Sequence, residues 1–155
     1  MEKIQLVDLS IIPQDAYKKH LADVVILTSK NKILLQSRPL NWLTHPGVVC
    51  LFGGHVEDEE VPIEAAVREI HEETGGILSS SDLIFIGALT EDWTNHSQIV
   101  HVYFWYDKDG SITGCYEAEA IEFNSSSEAI SHNNIMDYAK WALEECNLRN
   151  LLPTK

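Results

Sequence analysis

With 155 residues and a formal net charge of −13, the chain repels the phosphates of DNA and RNA, and no Lys/Arg-rich stripe offsets this, which excludes a nucleic-acid polymer as partner. Its apolar fraction of 45% suits one globular domain over residues 1–155, and no apolar run approaches the roughly 20 residues that span a bilayer, so no membrane partner is expected. Cys50, Cys115 and Cys146 are an odd number, widely spaced and without a C-x-x-C pair, which argues against a disulfide framework or a structural zinc site.

The first residues, MEKIQLVDLS, lack the basic stretch and long apolar core of a signal peptide, and the expected location is the cytoplasm. Ile4 to Ile12 is a candidate edge strand. Residues 21–28 (LADVVILT) and 33–37 (ILLQS), separated by Ser-Lys-Asn-Lys, predict a hairpin. Val48 to Phe52 predicts a buried strand that breaks into a loop at Gly53-Gly54. Residues 61–74 predict a helix: Pro62 suits its first turn, Ile63, Val67, Ile70 and Thr74 recur at helical spacing, and Gly75-Gly76 is a stop. Leu83 to Leu89 and Ile99 to Tyr106 are further strands. Asp107-Lys108-Asp109-Gly110 is a turn leading to a strand pair around Ile112 and Ala120 to Phe123, and Ser127 to Cys146 has a helical pattern. The sum is α+β: a mixed sheet with a central helix and a C-terminal helix, an α/β/α sandwich.

The central helix carries an unusual load of acid. At about 100° per residue, Glu69, Glu72 and Glu73 fall within an arc of roughly 100°, away from the stripe of Ile63, Val67, Ile70 and Thr74. Such carboxylates repel one another, and a hard cation such as Mg²⁺ removes that penalty. Three glutamates alone read first as a solvated acidic face.

Their surroundings change the reading. From Gly54, five residues lead to Glu60; seven more lead to Arg68-Glu69, then Ile70, His71, Glu72-Glu73, Thr74 and Gly75. The run GGHVEDEEVPIEAAVREIHEETG resembles the Nudix box, with every fixed residue type at its spacing. It departs from common usage twice: Glu59 stands where the family often has glycine, and Gly76 displaces the aliphatic residue Ile77.

The resemblance implies a Nudix-like sandwich with a catalytic loop-helix-loop. It implies Glu69, Glu72 and Glu73 as metal ligands, one of them assisting as base, with the Gly53 carbonyl as a further ligand. Arg68 would orient carboxylates and pair with Glu60, which bridges loop and helix. Glycines such as Gly54 let the chain approach metal and substrate closely. Outside the box, Arg38 resembles a basic residue near substrate phosphate, against the alternative of a surface arginine. Glu117 resembles a distant glutamate that completes the metal or base set, with Glu119 and a plain surface role as alternatives.

Trp42, Phe52, Trp93, Tyr103 and Trp105 are aromatic candidates for stacking on a nucleobase, though strand aromatics commonly fill the core; Tyr103 and Trp105 share one face and Phe104 takes the other. The histidines show no zinc pattern, and Cys50 reads as a buried thiol. The implied activity is Mg²⁺-dependent hydrolysis, with Mn²⁺ as substitute, of a nucleoside diphosphate linked to another group: a nucleoside triphosphate, normal or oxidised, or a nucleotide sugar. The alternative is a Nudix-fold module that binds a nucleotide or partner without turnover. A homodimer is common in similar proteins, and the segment 4–12 is available for such an interface.

Overall fold

A computed structural model of the chain describes residues 3–154. Eight strands form one mixed sheet: β1 (Ile4–Val7), β2 (Lys19–Leu27), β3 (Ile33–Ser37), β4 (Val49–Cys50), β5 (Phe52–His55), β6 (Ile84–Glu91), β7 (Gln98–Tyr106) and β8 (Glu119–Phe123). The strand order is β1-β6-β7-β2-β3-β4, with β5 on β2 and β8 on β3; β2 and β7 run parallel and their neighbours antiparallel. Among the described residues, three α-helices cover the faces: α1 (Pro62–Thr74), α2 (Ser126–Ile130) and α3 (Asp137–Leu148).

Alternation along the strands sorts the core into two layers. Ala22, Val24 and Ile26 of β2 join Phe52, Tyr103 and Trp105 against Ala65, Ala66 and Ile70 of α1. Val25, Leu27, Val102 and Phe104 face the other way, toward Ala139, Ala142, Leu143 and Cys146 of α3. The expected division of Tyr103 and Trp105 from Phe104 is the one observed. Cys50 lies in the α3 layer, and burial pushes its thiol up to about 12.

One feature of the pairing positions the site. Strand β2 changes partner part-way: Leu21 to Val24 pair with β5, and Ile26 and Leu27 pair with β3. The fork between β3 and β5 is therefore a gap in the sheet beside Gly53 and Gly54.

Four sequence expectations are corrected. The edge strand stops at Val7, because the Asp8 carbonyl accepts from the N–H groups of Ile11 and Ile12 and turns the chain. The strand expected over 48–52 is two short strands, and the second continues through both glycines to His55 instead of ending in a loop. Residues 111–118 hold no strand; they form a loop tied to the end of α1. The C-terminal helical stretch is broken between Ile130 and Asp137, where the Asn134 carbonyl accepts from Val49 and the Val49 carbonyl accepts from Met136. Backbone groups given to β4 are not available to continue a helix.

Candidate active site

Helix α1 begins at Pro62, whose missing N–H costs nothing there, while the Glu64 carboxylate accepts from the Val61 N–H at 3.0 Å. It ends at Gly75, in the left-handed region at φ 76°, where a Cβ would lie 2.1 Å from Thr113 Oγ1. The loop after β7 crosses this end. The Thr74 carbonyl accepts from the N–H groups of Thr113 and Gly114, and the Glu73 carbonyl accepts from Tyr116. Orphan carbonyls at a helix end thus capture a loop with no strand partner, and the capture carries Glu117 toward α1.

The buried face of α1 extends past the stripe of Ile63, Val67, Ile70 and Thr74, of which Ile63 and Val67 are half-buried. Ala65, Ala66 and Glu73 are buried too, because alanine lets the helix sit close on β2 and β5. That closeness draws Glu69 and Glu73 into the seam and leaves Glu72 in water. Glu73 is 5% exposed and accepts from the Gly53 N–H at 3.2 Å. Ligand atoms of Glu69, Glu73 and Glu117 all lie within 4.8 Å of one another. Glu72 is not among them: its side chain is 53% exposed and accepts from Arg68 at 3.3 Å. Glu119 begins β8 and is exposed.

Both glycines stand in close contact. A Cβ on Gly53, at φ 152°, would fall 2.2 Å from the Ala22 carbonyl oxygen. One on Gly54 would fall 2.5 Å from Glu69 Oε1. At Gly53 the clash is with backbone and only glycine fits, whereas at Gly54 the end of the Glu69 side chain would have to shift.

Arg68 organises the solvent side. Its Nε and Nη2 donate to the two Glu60 oxygens at 2.8 and 2.9 Å, Nη1 to Glu69 at 3.0 Å, and Nη2 to the His55 carbonyl at 3.0 Å. These hydrogen bonds hold the Glu60 carboxyl down to about 2 and raise the guanidinium further. Glu73 moves the other way. Burial pushes it well above the usual carboxylate range, and the carboxylates of Glu69, Asp23 and Glu117 add to that, against the Gly53 N–H.

The donor chemistry fits a hard divalent cation. Glu69, Glu73 and Glu117 each offer a carboxylate oxygen, and a divalent cation held there would offset the charge of a buried acid with acidic neighbours.

Through the fork in the sheet lies a cleft of about 390 Å³, reached by Asp23, Gln36, Arg38, Trp93 and Tyr138 and by both glycines. Asp23 accepts from the Tyr138 hydroxyl at 2.8 Å, and burial raises its carboxyl to about 7. Neither residue was foreseen from the sequence, although Asp23 is a lone acid inside the apolar run LADVVILT. Arg38 lines the cleft, but its Nε and Nη2 donate to the Thr44 carbonyl and hydroxyl at 2.9 and 2.8 Å, and its guanidinium lies 4.4 Å over the Trp42 ring. Phe52 is 0% exposed in the α1 layer, so stacking on a base is not open to its ring, and the same layer buries Tyr103 and Trp105. Trp93 is half exposed at the cleft, edge-on to His45 at a centroid distance of 4.7 Å.

The chain matches the NUDIX domain family over residues 18–143. It is 34% identical over 122 residues to an ADP-ribose pyrophosphatase of Methanocaldococcus jannaschii, covering 75% of this chain and 70% of that one. It is 31% identical over 104 residues to the peroxisomal coenzyme A diphosphatase ndx-8 of Caenorhabditis elegans, covering 63% of this chain and 44% of that one. Over 62 residues it is 40% identical to an 8-oxo-dGTP diphosphatase of Proteus vulgaris, covering 39% and 54%. Among solved structures, the MutT protein of Methanosarcina mazei Go1 superposes with a TM-score of 0.69 at 24% identity, covering 85% of this chain and 94% of that one, a likeness of fold.

Proposed function

The chain belongs to the Nudix family, and we propose that it is a Mg²⁺-dependent hydrolase, with Mn²⁺ as substitute, that cleaves the diphosphate of a nucleoside diphosphate linked to another group. The observation that carries this reading is the convergence of Glu69, Glu73 and Glu117 beside two glycines at the mouth of a cleft. The relatives are named for three different diphosphate compounds, which supports the bond and leaves the groups on either side of it to the cleft.

In this proposal Glu69, Glu73 and Glu117 would hold the cation with the Gly53 carbonyl, and Glu72, exposed beside Arg68, would be a further ligand. A divalent cation bound there supplies Lewis acidity and offsets the charge of the diphosphate. The chain's own residues do the rest. Arg68 fixes the Glu69 carboxylate by one oxygen, which orients that group to accept a proton from an attacking water. Glu60 holds Arg68 in turn, by a two-pronged contact that resists rotation. Gly54 keeps the seam open to substrate. The nucleoside lies in the cleft, where the exposed face of Trp93 is available for stacking and Arg38 is near enough to meet phosphate if it exchanges Thr44 for it.

Among the described residues no helix is long and apolar enough to cross a membrane. A small nucleotide-type substrate, the cytoplasm as location and a homodimer complete the proposal. The test is a panel of nucleoside triphosphates, oxidised triphosphates, nucleotide sugars and dinucleotides, assayed for phosphate, pyrophosphate or nucleoside monophosphate with Mg²⁺, Mn²⁺ or EDTA. At least one compound should be cleaved with metal and spared in EDTA, and Glu72→Gln should lose nearly all of that activity. A protein that binds nucleotide and cleaves nothing in the panel overturns the reading.

A further inference from the structure

We propose that Tyr138 and Gln36 are positioning residues for the cation site: together they fix the backbone of Leu51, and through it the Gly53 peptide that meets Glu73. This rests on the hydrolase reading above, in which the Gly53 carbonyl is a ligand. The need for such residues arises where the sheet forks. Val49 and Cys50 pair with Ser37 and Gln36 of β3, whereas Phe52 to His55 pair with β2. Leu51 stands between the two ladders and belongs to neither, yet it is only 1% exposed. A buried peptide group outside a ladder must find its partners elsewhere. Leu51 finds two, and both are side chains. Its N–H donates to the Tyr138 hydroxyl at 3.2 Å, and its carbonyl accepts from Gln36 Nε2 at 2.8 Å.

The same hydroxyl carries the connection on to Gly53. It donates to Asp23 Oδ2 at 2.8 Å, and Asp23 is the residue of β2 in register with Gly53. The other oxygen, Oδ1, occupies space that a Cβ on Gly53 would need. Gly53 in turn donates its N–H to Glu73 at 3.2 Å. The Gly53 peptide thus has Asp23 against its α-carbon and Glu73 on its nitrogen, two residues after a backbone pinned by Tyr138 and Gln36.

Core packing accounts for neither polar group. Tyr138 belongs to the α3 layer, where a phenylalanine ring would fill the same space, and Gln36 is a buried amide that follows the apolar run Ile33-Leu34-Leu35. What the hydroxyl and the amide add is a defined place for Leu51. Asp23, Gln36 and Tyr138 also line the cleft, so the support beneath the cation site is part of the wall that substrate would meet. A side chain that orients a ligand group from behind commonly changes metal affinity about 10–100-fold when removed.

The test measures metal binding apart from turnover. Mn²⁺ is titrated into the full chain, with free ion read by electron paramagnetic resonance, for the parent, Tyr138→Phe, Gln36→Met and a control, Ile86→Val, in the same core layer but outside this network. Tyr138→Phe keeps the ring and Gln36→Met keeps the length. Each removes one bond to Leu51 and should raise the Mn²⁺ dissociation constant by about tenfold, and on any cleaved compound lower kcat with KM little changed. Ile86→Val should lower the melting temperature and bind Mn²⁺ as the parent does. Folded variants that melt lower yet bind Mn²⁺ like the parent overturn the proposal and leave hydrolysis standing. Should neither variant fold, amide exchange in the parent decides: the Leu51 N–H should exchange as slowly as that of Val25 within β2, and exchange as fast as a loop amide overturns the proposal. A parent that binds no Mn²⁺ and cleaves nothing in the nucleotide panel overturns both readings.

Discussion

Replacing Glu73 by glutamine should make the metal-free protein more stable. The Glu73 side chain is buried, with ligand atoms of Glu69 and Glu117 within 4.8 Å. With Glu73 ionised, two unit charges at that separation repel by about 3 kcal/mol at an effective dielectric constant of about 20, and escaping burial and repulsion by taking up a proton at pH 8 costs a comparable amount. Glu117 is exposed and screened by water, which reduces the gain from removing the charge to about 2 kcal/mol. Glutamine has the same shape and still accepts from the Gly53 N–H, so no cavity or unpaired donor offsets the gain. For a domain of this size the melting temperature in EDTA at pH 8 should rise by about 4–8 °C. Magnesium should reverse the order. At a concentration near 100 times the Kd the parent gains about 2.7 kcal/mol from binding, and the variant gains little. A Glu73→Gln protein that melts below the parent in EDTA would refute the repulsion argument.

Three further outcomes follow from the same geometry. Gly54→Ala places a methyl 2.5 Å from Glu69 Oε1 and displaces that carboxylate, so kcat should fall by about 100-fold while circular dichroism and melting change little. Arg68→Ala leaves Glu60, Glu69 and Glu72 without their shared cation and should cost about 2 kcal/mol in urea unfolding, against about 1 kcal/mol for Glu60→Gln, which leaves Arg68 its contacts with Glu69 and His55. His101 is buried with its Nε2 3.1 Å from His20 Nδ1, and burial followed by the His20 charge pushes its ring down to about 4. Because the unfolded ring takes a proton near pH 6.5 and the folded one resists it, stability from this group is full above pH 6.5 and is lost as pH falls toward 4, on the order of 3 kcal/mol. Urea unfolding at pH 7, 5.5 and 4.5 should show that decline in the parent and a shallower one in His101→Gln.

The box was legible because its residues act through spacing along a single helix and loop. Arg68 meets Glu60 as the resemblance implies, and Glu69 and Glu73 approach each other one turn apart. The two faces of β7 were legible because alternation is local. What was hidden depended on partners distant in sequence. Ala65 and Ala66 decide how deeply α1 sits, and so how dry Glu73 becomes, but they are neutral in a pattern of large apolar residues. Residues 111–118 carry no strand partner, and the N–H groups of Thr113, Gly114 and Tyr116 go to carbonyls of Thr74 and Glu73, about 40 positions earlier. Phe52 was a plausible stacking ring until the β2–β5 pairing turned it beneath α1. The role of Asp23 carries no signal in sequence because its partner, Tyr138 of α3, is 115 positions away.

The proposed hydrolysis has water cleave a diphosphate while carboxylates on α1 and its captured loop would hold a divalent cation. It is tested most directly by following the phosphorus resonances of a nucleotide panel by ³¹P NMR, in Mg²⁺, with the parent and with Glu73→Gln. The parent should convert at least one diphosphate compound to two separate phosphate species, EDTA should stop it, and the folded variant should leave the substrate intact. A variant that cleaves as fast as the parent, or a parent whose cleavage continues in EDTA, would contradict it.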